Sequence, residues 1–167
     1  KIKMLGRKER DDQFISQGTV AKKISQFISS NSTKDNLLIE KYSAKSLPDN
    51  KNKVFRNSFI RNQPAEVAKD IINFFGAFEI VYQKIWNGEG LLIKKAVGYS
   101  AMMYFLEKLL LKDIKGARSY FDIFEKNQEE NTKKLLEIFS TEKGSSESIA
   151  RKISKELIEL FKIEEFG

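Results

Sequence analysis

Between Pro64 and Trp86 an apolar residue recurs on almost every helical turn: Val67, Ile71, Phe74, Phe75, Phe78, Val81, Tyr82 and Ile85. This is the 3.6-residue period of an amphipathic helix, and no strand alternation fits it. Proline at the first helical position, with Glu66 two residues on, marks the start, because a first-turn amide is unpaired anyway and an acid favours the positive end. Asn87-Gly88-Glu89-Gly90 is a turn, and its glycines lack the lysine and Ser/Thr of a phosphate-binding loop. A second apolar helix is expected from about Leu92 to Leu111, with Val97, Ala101, Tyr104, Phe105, Lys108 and Leu109 on successive turns. A link this short predicts that the two helices lie antiparallel as neighbours.

The rest of the chain reads in the same idiom. A first helix is expected near Gly18-Thr19, with Thr19 as its cap and Val20, Ile24, Phe27 and Ile28 along one side. It stops at Ser29-Ser30-Asn31-Ser32. Leu37 to Tyr42 is a strand or a short helix, and Leu47-Pro48-Asp49-Asn50 a turn. Three helices follow Gly116 and Gly144 as breaks: Ala117 to Lys126, Glu130 to Glu142 and Ser146 to Phe166. Ile149, Ile153, Leu157, Leu160 and Phe161 form the buried stripe of the last. Only two prolines occur in 167 residues, so the chain predicts a mostly α fold, an irregular multi-helix bundle of about five to seven helices with little or no sheet. Residues 1–167 make one helical domain with a flexible lead-in at 1–12. The opening Lys1-Ile2-Lys3, without methionine, reads as a piece of a longer protein.

Cysteine and histidine are both absent. Disulfides, thiolate metal sites, histidine-based triads and histidine-bearing zinc motifs are therefore excluded from this segment. The acid pairs Asp11-Asp12, Glu129-Glu130 and Glu164-Glu165 lie in polar ends with no base or metal ligand nearby, so they read as solvated carboxylates. No catalytic residue, cofactor or metal site is expected. The apolar runs are far too short for a membrane span and the start has no signal-peptide core, which gives a cytoplasmic expectation.

Charge is unevenly distributed. Residues 1–61 hold 14 Lys/Arg against 6 Asp/Glu, whereas residues 62–167 hold 16 against 17. Such asymmetry points to a polyanion partner. The candidate stretch is Lys51 to Gln63, where Lys51, Lys53, Arg56 and Arg61 alternate with Phe55, Phe59 and several amides, a mixture suited to phosphate and base edges. The plainer alternative is that Phe55, Phe59 and Ile60 anchor the segment while its cations stay in water. Lys1, Lys3, Arg7, Lys8 and Arg10 belong to the lead-in. Gly98 inside an apolar helix costs about 1 kcal/mol relative to alanine. Either a neighbouring helix backbone comes close there, or Lys94 and Lys95 form a phosphate-facing surface. Trp86 reads as a core plug at a helix end.

From Phe14 to Leu111 the order of features resembles the DGQHR-domain family, the DndB-like proteins associated with DNA phosphorothioation. Phe14-Ile15-Ser16-Gln17 leads into a Val20-Ala21-Lys22 helix. Ser58-Phe59-Ile60 precedes a Phe-rich helix ending near Ile85-Trp86, and Lys95-Ala96-Val97-Gly98-Tyr99-Ser100-Ala101 is similar to that family's Lys-x-x-Gly-aromatic-x-Ala element. The naming motif Asp-Gly-Gln-His-Arg is absent, so the match is to the helical part downstream of it. The resemblance implies a non-enzymatic region assisting DNA binding or regulation in a bacterial modification or defence system. Lys51, Lys53, Arg56, Arg61, Lys94 and Lys95 are then the expected DNA contacts. The alternative expectation is a protein interaction module, in which Leu37 to Tyr42 or the last helix docks a partner or a second copy.

Overall fold

The computed structural model describes residues 15–140 and 146–163, together with the backbone of 2–3. Apart from Ile2 and Lys3, the expectations for residues 1–12 lie outside the described residues, as do those for Gly144 and the segment beyond residue 163, the acid pairs Asp11-Asp12 and Glu164-Glu165 among them. Ile2–Lys3 (β1) pairs in parallel with Ile15–Ser16 (β2), two residues each, and this is the only sheet among the described residues. The helices are α1 (Gln17–Ile28), α2 (Ser32–Lys41), α3 (Arg56–Ile60), α4 (Pro64–Val81), α5 (Gln83–Trp86), α6 (Ala96–Leu111), α7 (Ala117–Glu125), α8 (Gln128–Ser140) and α9 (Glu147–Leu160). Omitting the single turns α3 and α5, seven remain, so the mostly α architecture is as expected.

Local chemistry sets several boundaries. Ser16, not Thr19, caps α1, its hydroxyl accepting from the Thr19 amide at 3.1 Å. Asn31 does the same for α2 through the Lys34 amide at 3.0 Å. The ambiguous Leu37 to Tyr42 stretch is thereby carried into a helix. Pro64 does open α4, and Tyr82, at φ −114° and ψ 48°, separates α4 from the single turn of α5. Its ring is buried and its hydroxyl donates to the Phe124 carbonyl at 2.7 Å, which pins the break to α7.

The expected Leu92 to Leu111 helix begins later. Leu92–Lys94 is a 3-10 turn, Lys95 is extended, and α6 starts at Ala96. Gly98 explains the geometry, since a Cβ there would stand 2.1 Å from the Leu92 carbonyl oxygen and 2.5 Å from the Ile93 Cα. The close backbone is thus the chain's own preceding turn folded onto α6, not another helix.

Phe74 lies at the centre of the core. Its ring meets those of Phe105 at 5.9 Å, Tyr120 at 5.5 Å and Phe124 at 5.5 Å, all within the range of favourable edge and offset ring contacts. Phe124 in turn touches Phe78 and Phe161, each at 5.3 Å. The expected neighbours α4 and α6 do touch through such rings, but other pairs lie closer. The closest helix partners are α6 with α9 and α4 with α7, while α4 and α6 meet through Phe74–Phe105 and the stacked Phe75–Tyr99 pair. Bulky side chains occupy the space between them, so a short link does not force close backbones. Trp86, half-buried against Phe75 and Phe78, fills the end of the same cluster. Among the described residues no helix is long and apolar enough to cross a membrane.

Candidate nucleic-acid interface

Arg56 was expected at the surface, and the structure corrects this: it is 4% exposed. Its Nε donates to the Pro48 carbonyl at 3.0 Å and its Nη1 to the Ile28 carbonyl at 3.2 Å. The guanidinium also pairs with both carboxylate oxygens of Asp35. A planar fork with five donors suits this task, closing the end of α1, the turn at Pro48 and the side of α2 together. The Arg56 hydrogen bond holds the Asp35 carboxyl below its ordinary value, and the Ser29 hydroxyl donates to the same group at 2.6 Å. Arg56 is a structural clamp, buried and with four of its five N–H groups engaged inside the fold.

The other five expected contacts fare differently. Lys53 is half-buried and donates to the Gln26 carbonyl at 2.6 Å, satisfying an acceptor in the last turn of α1. Lys51, Arg61 and Lys95 are exposed. Lys94 is half-buried in the 3-10 turn. The six residues do not form one patch. Lys51 and Lys53 line a groove of about 590 Å³ beside Leu110 and Leu111, whereas Lys94 and Lys95 precede the other end of α6, which at 1.5 Å per residue is about 24 Å long. The groove itself carries both signs: the four lysines Lys51, Lys53, Lys69 and Lys115 face the three acids Glu66, Asp70 and Asp113. Lys115 is already bound to Asp113 at 2.7 Å, and burial pushes the Asp70 carboxyl up.

Two cations do converge, and neither was anticipated. Lys23 of α1 is 3% exposed, donates to Glu147 Oε1 at 2.8 Å and lies 4.1 Å from the Tyr104 ring centre. The Tyr104 hydroxyl bonds the same Glu147 oxygen. Arg151 of α9 stacks on that ring at 4.4 Å. One turn further along α6, burial pushes the Glu107 carboxyl up, and the charges of Lys53, Arg151 and Lys23 oppose that rise. So Lys23 and Arg151 flank one face of α6 at Tyr104, with exposed Lys22 at its edge beside Ala96 and Val97. Lys23 was legible in principle, because it falls in the buried stripe of α1 with Val20 and Phe27, where an unpartnered lysine is rare. Arg151 gave no such sign.

No cluster of three or more acid, histidine or cysteine side chains suited to a metal exists among the described residues. Glu129 and Glu130 are exposed in the first turn of α8, and Glu130 pairs with Lys134 at 2.7 Å. No family model, curated protein or solved structure matches this chain.

Proposed function

We propose that this domain is a non-enzymatic helical module that contacts DNA through the cationic face shared by α1, α6 and α9. The supporting observation is that Lys23 and Arg151 both lie over the Tyr104 ring, with exposed Lys22 at the rim. Of the expected contacts this reading keeps Lys94 and Lys95, which precede α6; Lys22 and Arg151 join them, Arg56 leaves, and the groove lysines Lys51 and Lys53 are not part of the face. Such cations would neutralise backbone phosphates and read no sequence. The resemblance to the DGQHR-domain, DndB-like group makes the parent a bacterial DNA modification or defence protein working in the cytoplasm. Titrating duplex DNA at two salt concentrations tests the reading. The log–log slope should be roughly −0.9 per phosphate neutralised, and Lys22→Gln with Arg151→Gln together should lower it by about two such steps. Absence of binding at low ionic strength would end the proposal.

A second reading is an interaction module. It is favoured by Leu37 and Tyr42, each 62% exposed on or just after α2. The last helix offers no comparable strip, since Ile153 and Leu157 are buried against the core. Light scattering separates the two, because a stable dimer without DNA affinity supports the module.

A further inference from the structure

Where α6 and α9 begin, beside the middle of α1, their side chains line a half-open cavity of about 140 Å³. Lys22 and Lys23 come from α1, Ala96, Val97 and Ser100 from α6, and Glu147 from α9. Ser100 is the unexplained member. It is 6% exposed, it lines the cavity, and its hydroxyl forms no hydrogen bond with a described residue, although a helical serine has a carbonyl four residues back within reach. Its oxygen is not sealed from solvent, so it is available to whatever occupies the space in front of it.

The surroundings of that hydroxyl are nearly all donors. Lys95, at the position before α6, supplies no side-chain cap, so the first-turn amides of that 16-residue helix stay open at its positive end. Lys23 carries three N–H groups, of which one engages Glu147 at 2.8 Å, and the ammonium of exposed Lys22 stands at the mouth. Among the described residues Glu147 is the single carboxylate in the wall, and it is already held by Lys23 and the Tyr104 hydroxyl. At about 30 Å³ per water the cavity has room for a few waters, and hence for one tetrahedral oxyanion. We propose that this cavity seats a single phosphoryl group, bound by the Ser100 hydroxyl, the first amides of α6 and the ammoniums of Lys22 and Lys23. The ligand is one compact dianion and not a polyanion, and the seat lies at the rim of the DNA-contacting face, with Lys22 common to both. Glu147 competes with that dianion for Lys23.

The test is an amide NMR titration of the whole chain with inorganic phosphate, against chloride at equal ionic strength. Saturable shifts at Ala96, Val97 and Ser100 are expected, with a dissociation constant on the order of 1–10 mM. Ser100→Ala should weaken binding about three- to tenfold, the worth of one hydrogen bond, and alanine keeps the helix intact. Lys22→Gln, at an exposed position, should weaken it as well, whereas Glu147→Gln should tighten it by removing the internal competitor. No saturable shift overturns the proposal, and so does unchanged affinity in both Ser100→Ala and Lys22→Gln. Oligonucleotides with and without a 5′-phosphate identify the source: shifts from the phosphorylated one alone assign the group to a nucleic-acid end, and shifts from inorganic phosphate alone assign it to a small free ligand. DNA binding with these amides unmoved and a silent phosphate titration removes the seat and keeps the cationic face. Phosphate binding without DNA affinity does the reverse.

Discussion

Phe74 and Arg56 are both buried, at 0% and 4% exposure, yet they hold their surroundings by different means. Around Phe74 the rings of α4, α6 and α7 exclude water over a wide apolar volume, an attraction without direction that tolerates small shifts. Around Arg56 there is little apolar material. α2 buries no residue and α3 buries only Arg56 itself, and the segment is fastened by Phe27, Leu47 and Phe55 together with one guanidinium fork. Charge-assisted bonds are directional and depend on every partner being present. The N-terminal third is therefore a strapped appendage on an aromatic core, and the two should fail differently.

The largest effect is expected at the core. Phe74→Ala should cost about 4 kcal/mol, from lost transfer energy plus the cavity left among rings that cannot close over it, measured as a urea midpoint shift with unchanged slope. Arg56→Ala should cost about 3 kcal/mol, because it strands the Asp35 carboxylate and two carbonyls. Its signature should be local, with amide exchange in α2 rising before exchange in α6. Uniform loss of protection in both helices would break the comparison. Arg56→Lys should rescue little, since an ammonium cannot reproduce the fork.

The strap also carries a pH signature. Asp35 has a folded value held below its ordinary 3.8, so its contribution is complete above that ordinary value and is lost as pH falls through the lowered folded one. Acid should loosen α2 first, and the Arg56→Ala variant should no longer show that step. Glu107, raised by burial, runs the other way, its penalty applying at neutral pH and easing on acidification.

A glycine pair gives the smallest contrasts. Gly98→Ala should cost about 2 kcal/mol, since the new Cβ would meet backbone that has to move. Gly76, in the middle of α4, has nothing within 4 Å of a Cβ, so Gly76→Ala should raise stability by about 0.5–1 kcal/mol through backbone entropy alone. Thermal midpoints moving in opposite directions would support both assignments.

Much of the fold was legible. Pro64, the apolar period after it and the glycine at 116 are local signals, and local signals mark helix existence well. Boundaries were less so: Thr19 and Ser16 are both competent caps, and only the chain's path, with β2 ending at Ser16, selects one. Gly98 announced that some backbone comes close without saying which. The candidate site was the least legible part. Arg56 looked like its neighbours Lys53 and Arg61 because a cation's role depends on whether an acid and free carbonyls lie within reach, and Asp35 is separated from it by twenty residues.

The order of apolar and polar residues was enough to determined that this chain is helical, where most helices run and that Phe-rich segments supply the core, because those properties follow from periodicity within a few turns. The three-dimensional packing alone decided which helices touch, which lysines and arginines are spent on internal carbonyls and carboxylates, and that Lys23, Tyr104, Glu147 and Arg151 share one place. Those outcomes depend on contacts between residues as much as 124 positions apart, and no local pattern encodes a distance that only folding brings to 2.8 Å.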